Sequence, residues 1–158
     1  MPPTFLIDIT DIDLTATLFG PDRIREVNPQ RGDMEHLNAI VWADKAKGQI
    51  IGRKDVRADE FWVPGHIPGR PLLPGVLMLE AAAQLSSFYA KHFMEWPGFI
   101  GFGGVGETKF RAEVKPGDTL LMLTQKVWER HRRVACNVQG VVNGNLAFET
   151  SIVGVQMG

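Results

Sequence analysis

The sequence predicts a single α+β domain in which a curled antiparallel sheet surrounds one long helix. Residues 76 to 93 indicate the helix, because they contain no Gly or Pro and are apolar over most of the helix circumference. A hairpin pattern indicates strands before the helix, alternating apolar and polar residues indicate strands after it, and Asn143-Gly144 is typical of a two-residue hairpin turn. With 158 residues, of which 44% are hydrophobic, the chain is long enough for one core and too short for two, so residues 1–158 are treated as one domain.

The elements before the helix are predicted from short local patterns, and those after it from alternation. Residues 4 to 19 mix apolar residues with Asp and Thr and are interpreted as a short capped helix. The polar turn 43–48 predicts a hairpin, and Pro116-Gly117-Asp118 predicts the end of a half-buried strand. The predicted strands are residues 37–42, 49–56, 109–115, 119–129, 134–142 and 146–155.

The composition argues against several classes of partner. The net charge is −1 and the pI is about 6.4, so neither nucleic acid nor an anionic membrane is expected as the main partner. Cys136 is the sole cysteine, which excludes an intrachain disulfide and a thiolate metal cluster, and its place in an alternating strand favours a small core residue. The N-terminus lacks a basic start followed by an apolar stretch, and no window approaches the ~18 apolar residues of a membrane span. We therefore expect a cytoplasmic protein.

His66 and Glu80 are the strongest indication of function. His66 lies in residues 64–74, which contain four prolines and two glycines and predict a stiff loop that leads directly into the helix carrying Glu80. An imidazole can take a proton near neutral pH, and a carboxyl group in apolar surroundings keeps its proton to higher pH. The pair is therefore a candidate for general acid/base chemistry. On the predicted helix Glu80 shares one stripe with Val76, Gln84 and Ser87.

Two other patterns are interpreted as structural. Residues 101–106 match the G-x-G-x-x-G motif of dinucleotide-binding loops, but that motif requires a following helix and residues 108–116 predict a strand. The four histidines, His36, His66, His92 and His131, are scattered without ligand spacing, which argues against a metal site.

Two signatures support a family resemblance. The first is Gly65-His66-Ile67-Pro68, with Pro71, Pro74-Gly75-Val76-Leu77, Glu80-Ala81 and Ala83-Gln84, and the second is Lys109-Phe110-Arg111, Val114 and Pro116-Gly117-Asp118. The stretch from Phe61 to Leu120 therefore resembles the 3-hydroxyacyl-acyl-carrier-protein dehydratases of type II fatty acid synthesis, which have the hot-dog fold. Relatives that also isomerise the double bond usually carry Asp at the helix position, so Glu80 resembles the non-isomerising branch.

The resemblance implies reversible dehydration of a (3R)-3-hydroxyacyl thioester on acyl carrier protein to the trans-2-enoyl thioester, without a cofactor. It implies that His66 removes the α-proton and that Glu80 protonates the departing hydroxyl. Gly75 and Val76 would bind the substrate at the helix start, and Gln84 would orient Glu80 or a water. In this family the His and Glu of one site come from different subunits, which implies at least a homodimer.

The chain also departs from the family. The residue after the histidine is Ile67 in place of the usual Phe, the family's N-terminal segment is not recognisable in residues 20–35, and residues 99–106 lack the Tyr often found there. The resemblance therefore leaves the gating of the acyl tunnel and the preferred chain length open.

Each assignment has an alternative. His66 alone could hydrogen-bond its own loop, and Glu80 alone could pair with an arginine across a subunit contact. A hot-dog thioesterase or a non-catalytic acyl-binding domain are alternative functions. A basic surface is a candidate dock for an acidic acyl carrier protein, although such residues are most often solvated strand faces. Its residues are Arg111, Lys115, Arg132 and Arg133.

Overall fold

The computed structural model describes residues 4–158 as one sheet packed on one long helix. Its elements are α1 (Pro21–Val27), β1 (Ala39–Asp44), β2 (Gln49–Asp55), α2 (Gly75–His92), β3 (Phe99–Val105), β4 (Lys109–Phe110), β5 (Thr119–Arg130), β6 (Arg133–Val142) and β7 (Asn145–Met157). A 3-10 turn occupies Gly32–Met34. None of the helices in this described part of the chain is long and apolar enough to cross a membrane.

The strands pair antiparallel in the order β1-β2-β5-β6-β7-β3. The short β4 also pairs with β7, where Lys109 lies opposite Glu149, so β3 and β4 run in succession along the same side of β7. The Asn143-Gly144 turn between β6 and β7 has positive φ at both residues, as its sequence predicts. The predicted antiparallel sheet around one helix is confirmed.

α2 is enclosed by the sheet along most of its length. It begins at Gly75, one residue from the predicted start, and its side chains at Ala81, Ala82, Leu85 and Phe88 are fully buried. Burying a large apolar side chain of this kind stabilises the fold by about 1.5–3 kcal/mol. The helix therefore forms the core, which explains why its sequence is apolar on nearly every side.

The prediction of a helix over residues 4–19 is wrong. The segment is irregular, and the carboxylates of Asp8 and Asp13 accept hydrogen bonds from the backbone and hydroxyl groups of Thr10 and Thr15. Such local side-chain bonds compete with helix formation. Ile7 is buried against the outer face of the sheet, so this arm covers the surface opposite α2.

Two strand assignments also need correction. Only Lys109–Phe110 of the predicted strand 109–115 is a strand. Arg111 N and Ala112 N both donate to Ala147 O, which interrupts the regular ladder, and Val114 O accepts a 2.7 Å hydrogen bond from Leu73 N beside the histidine loop. β3 was missed because its glycines hide the alternation. One of them, Gly103, has no room for a side chain, since a Cβ there would collide with Val155 of β7.

Candidate active site

The loop that carries His66 is fixed by backbone hydrogen bonds on both sides of the histidine. His66 N donates to Trp62 O at 2.8 Å, and Leu72 N donates to His66 O at 2.8 Å. Trp62 is only 5% exposed and anchors the start of the loop in the core. The peptide bond between His66 and Ile67 is cis. The prolines and glycines thus form a shaped loop, as predicted.

The hydrogen bond of its ring fixes the tautomer of His66. Nδ1 lies 2.8 Å from the carbonyl oxygen of Leu72. Because a carbonyl oxygen only accepts, Nδ1 must carry the proton, and in the neutral ring Nε2 is then the free acceptor. The side chain is exposed in the single chain. The His66 ring is therefore held in an orientation in which Nε2 is the available nitrogen.

The first residue of α2 shares a pocket with His66. The pocket has a volume of about 610 Å³, and its lining includes His66, Gly75, Val76 and Phe110. Leu77 and Met78 donate to Pro74 O, which leaves the amides of Gly75 and Val76 as helix-start donors without an acceptor in the helix. These amides and the positive end of the helix dipole favour an oxygen that gains negative charge.

Gly75 has no side chain to cover the helix-start amide, and the Phe110 ring packs against the position where a side chain would begin. A Cβ at this position would lie 2.7 Å from the Phe110 ring. That ring is about half exposed at the mouth of the pocket.

Glu80 is oriented by Gln84, one turn further along α2. Gln84 Nε2 donates to Glu80 Oε2 at 2.7 Å and to Met34 O at 2.6 Å, while its Oε1 accepts from His36 N at 2.9 Å. The amide is 3% exposed and uses both donors and an acceptor, so its orientation is fixed. Glu80 itself is half-buried in the single chain.

Glu80 and His66 line separate pockets in one chain. Glu80, Gln84 and Ser87 share a small cavity of about 50 Å³ with residues of β3 and β7, whereas Val76 lines the His66 pocket. The three polar residues of the predicted stripe therefore line one cavity, and the apolar Val76 lines the other.

Sequence reasoning missed several polar residues around these pockets. Gln30 also lines the Glu80 cavity, and its Oε1 is buried without a hydrogen-bond partner among residues 4–158. Lys54, Glu60 and His36 are buried together, and the His36 backbone is hydrogen-bonded to Gln84 of the Glu80 cavity. Lys54 lies two residues after Gly52 and four after Ile50, so strand alternation places it on the same face as the buried Ile50. This position was a signal that could have identified Lys54 as buried.

The four basic residues predicted to form one dock fall into two groups. Arg111 N donates to Ala147 O near the start of β7, and the Arg111 guanidinium pairs with Glu149. Arg133 pairs with Val155 near the other end of that strand. Eight residues of strand separate the two ends by about 26 Å at 3.3 Å per residue. Lys115 lies with the first group and Arg132 with the second.

The titration of the single thiol follows from its surroundings. Burial raises the pKa of the Cys136 thiol to about 11, which agrees with the predicted core role. No cluster of three His, Cys, Asp or Glu side chains within residues 4–158 is arranged to hold a metal ion.

Comparison with known proteins identifies similar sequences and folds. The model of the FabA-like domain matches residues 28–151. The 3-hydroxyacyl-[acyl-carrier-protein] dehydratase FabZ of Desulfotalea psychrophila is 33% identical over 135 residues, covering 82% of this chain and 88% of that protein. The enzyme of the same name from Clostridium novyi is 32% identical over 135 residues, covering 85% and 94%.

Solved structures share the fold at low sequence identity. A chain of the dehydratase heterocomplex ApeI:P from Xenorhabdus doucetiae superposes with a TM-score of 0.71 at 13% identity, covering 85% of this chain and 91% of that one. A hypothetical thioesterase with coenzyme A from Streptococcus pneumoniae gives a TM-score of 0.56 at 11% identity, covering 75% and 84%. The neighbours confirm the predicted hot-dog fold.

Proposed function

The chain belongs to the FabA-like family, and on this premise we propose that it dehydrates (3R)-3-hydroxyacyl-acyl-carrier-protein reversibly to the trans-2-enoyl thioester. The observation that carries the proposal is the His66 ring, whose Nδ1 is committed to Leu72 O while Nε2 is free beside the start of α2. A fixed base next to unpaired helix-start amides meets the main demand of the reaction, removal of a weakly acidic α-proton from a thioester.

In the forward direction His66 Nε2 takes the α-proton. The electrons of that C–H bond pass into an enolate, so the thioester oxygen gains negative charge opposite the Gly75 amide, with Val76 lining the same pocket. They form the new C=C bond when the enolate collapses and expels the hydroxyl group. The C–O bond at the third carbon then breaks, and the departing oxygen takes a proton from Glu80 and leaves as water. The enzyme resets when the proton on His66 returns to Glu80 through water. Proton transfer by positioned groups contributes ~10²–10⁴-fold each.

Gln84 supports the acid role of Glu80. Its amide donates to Oε2 of the carboxyl group, which leaves Oε1 to carry the proton toward the substrate. Gln84 therefore acts by positioning Glu80 and does not transfer a proton itself.

The proposed site is composite and belongs to a homodimer, in which His66 of one subunit works with Glu80 of the other. The separate pockets within one chain support this arrangement. β3 is an edge strand that exposes about half of each of three apolar side chains, Phe99, Phe102 and Val105. An edge of this kind is a template for pairing with a second chain, and β3 also borders the Glu80 cavity.

The carrier protein supplies the proposed substrate, and the reaction takes place in the cytoplasm, where the single thiol of Cys136 stays reduced. Arg111 and Lys115 lie near the His66 pocket and are the first candidates to contact an acidic carrier. Arg132 and Arg133 lie at the far end of β7, so they meet the same carrier only if a second subunit brings them close.

Thioester hydrolysis is the second candidate, because hot-dog thioesterases share the fold of this chain and a carboxylate on the helix can activate water. It requires Glu80 as an ionised base and gives no task to His66, whose ring is nonetheless fixed by Leu72. A non-catalytic acyl-binding domain requires neither residue.

One assay separates the three functions. The purified protein is incubated with a (3R)-3-hydroxyacyl thioester on acyl carrier protein, and acyl chains of graded length define the preference. Ultraviolet absorbance of the conjugated enoyl product reports dehydration, and released thiol reports hydrolysis. We expect absorbance without thiol, and loss of it in His66→Ala and Glu80→Gln variants that remain folded by circular dichroism. Thiol release, or neither signal, would refute the proposal.

A further inference from the structure

A buried ion pair is connected to the candidate active site by hydrogen bonds. Lys54 is 1% exposed, and its Nζ donates to Glu60 Oε1 at 2.7 Å. The other carboxylate oxygen of Glu60 accepts from Arg57 N at 2.9 Å. Burial alone would raise the pKa of Glu60, but the hydrogen bonds from Lys54 and the Arg57 backbone outweigh it and lower that pKa. Burial lowers the pKa of Lys54, and the hydrogen bond and charge of Glu60 oppose that shift. Each partner therefore stabilises the charged form of the other in a place removed from water.

His36 is the third member of this cluster. It is 1% exposed, and its Nδ1 lies 3.2 Å from Lys54 Nζ. Because an ammonium group only donates, Nδ1 must be the acceptor, and the proton of the neutral ring lies on Nε2. Burial, and then the charge of Lys54, lower the His36 pKa to about 4. The ring is therefore neutral near pH 7, with the tautomer opposite to that of His66.

The cluster is connected to the element that carries the base. Glu60 O accepts a 3.1 Å hydrogen bond from Val63 N, which closes the turn that contains Trp62. Trp62 O in turn accepts from His66 N. A shift of Glu60 is thus transmitted through one tight turn to the backbone of His66.

The same cluster is connected to the element that carries the acid. The backbone N of His36 donates to Gln84 Oε1 at 2.9 Å, and Gln84 Nε2 donates to Glu80 Oε2 at 2.7 Å. Two series of hydrogen bonds therefore start from the Lys54 cluster, and one ends at His66 and the other at Glu80.

We propose that Lys54, acting through Glu60 and His36, is a positioning residue that holds His66 and Glu80 of one chain in their reactive orientations. This inference rests on the proposed dehydration. In the proposed dimer those two residues serve different sites. The cluster of one chain therefore supports the histidine of one site and the glutamate of the other. Stability alone does not require the pair, because replacing both partners of a buried ion pair by neutral groups is often neutral or stabilising.

The test removes both charges at once. The variant Lys54→Met/Glu60→Gln leaves no unpaired buried charge, and the new amide side chain keeps an oxygen acceptor for the Arg57 backbone N–H. We expect kcat to fall by ~10²-fold while KM changes by less than about 3-fold, because small displacements of reacting groups lower the rate of the chemical step. Lys54→Gln/Glu60→Gln, which likewise removes both charges and keeps a hydrogen-bond donor at position 54, replaces the double variant if that variant does not fold.

The control carries the same two substitutions at another ion pair. Lys126 and Glu129 lie 2.5 Å apart on β5, and both are partly exposed. Lys126→Met/Glu129→Gln is expected to keep wild-type kcat and KM. Circular dichroism and the dimer mass are measured for all variants, so that lost fold or assembly is separated from lost positioning.

Nitrogen NMR of ¹⁵N-histidine-labelled protein provides a readout that does not depend on activity. In the wild type His66 is expected as the Nδ1–H tautomer and His36 as the Nε2–H tautomer. In the double variant His66 is expected to become a mixture of tautomers, because its loop is no longer held against Leu72. Wild-type kcat together with unchanged His66 signals would overturn the inference. An inactive wild-type protein with the expected tautomers would instead refute the proposed function.

Discussion

Mixing two inactive variants tests whether the site is shared between subunits. His66→Ala removes the base, and Glu80→Gln removes the acid while keeping an acceptor for Gln84. Each homodimer is expected to be inactive. In one chain the two residues line separate pockets, so a shared site pairs the histidine of one subunit with the glutamate of its partner.

The expected recovery follows from counting sites. In a mixed dimer one site contains both substitutions and the other contains neither, so half of its sites are intact. Random reassortment of equal amounts makes about half of the dimers mixed, because a two-fold dimer has two equivalent positions. The mixture should therefore recover about one quarter of wild-type activity.

The assay requires that the subunits exchange. The two variants are mixed, unfolded in urea and refolded together, and dehydration is followed by enoyl absorbance. The wild type treated in the same way sets the scale, and each variant refolded alone sets the background. Recovery close to zero from dimers that have demonstrably mixed would mean that His66 and Glu80 work within one chain or not together, and the composite site would be refuted.

Three further outcomes follow from local contacts. Gly75→Ala should lower kcat/KM by ~10²-fold, because its methyl group covers the helix-start amide. The new Cβ would also lie 2.7 Å from the Phe110 ring. Recovery of activity in Gly75→Ala/Phe110→Ala would therefore attribute the loss to the contact with the ring alone. The His36 pKa is lowered from 6.5 to about 4 in the folded protein, so between these pH values the unfolded chain binds more protons at His36 than the folded chain does. Urea unfolding should show stability falling by up to about 3 kcal/mol as the pH drops through this window, and a flatter curve for His36→Gln. Cys136, with a pKa of about 11, should resist a thiol-specific reagent at pH 8 in the folded protein and react after unfolding, whereas rapid reaction of the folded protein would contradict its burial.

The parts of the fold predicted correctly are those whose signals are local. The uninterrupted apolar run of α2 and the Asn143-Gly144 turn each specify one backbone conformation, so both are found within one residue of the prediction. Apolar and polar residues also alternate in the segment 109–115. Val114 O nevertheless accepts a hydrogen bond from Leu73 N beside the histidine loop and does not pair within a strand. That competition depends on a segment more than thirty residues away, which alternation does not encode.

The assignment of His66, Gly75, Glu80 and Gln84 to the site stays a prediction, and it was possible because their motifs are short and specific. Their arrangement was not predicted. The residues alone gave no indication that His66 and Glu80 face different cavities, and only the family resemblance implied a second subunit. Lys54 was missed because charged residues are rarely buried, and its partners lie on separate segments that only the fold brings together.

In the proposed dimer, catalysis and assembly would be linked through the exclusion of solvent. His66 and the residues around it from Pro64 to Arg70 are exposed in the single chain. Water at that surface would screen the helix-start amides and compete for Nε2, since electrostatic stabilisation is strong only where water is excluded. The apolar edge of β3 offers the surface that a second chain can cover, and it borders the cavity of Glu80. The same contact would thus bring the acid to the base and dry the space between them, while Gln84 and the Lys54 cluster hold each group in place beforehand.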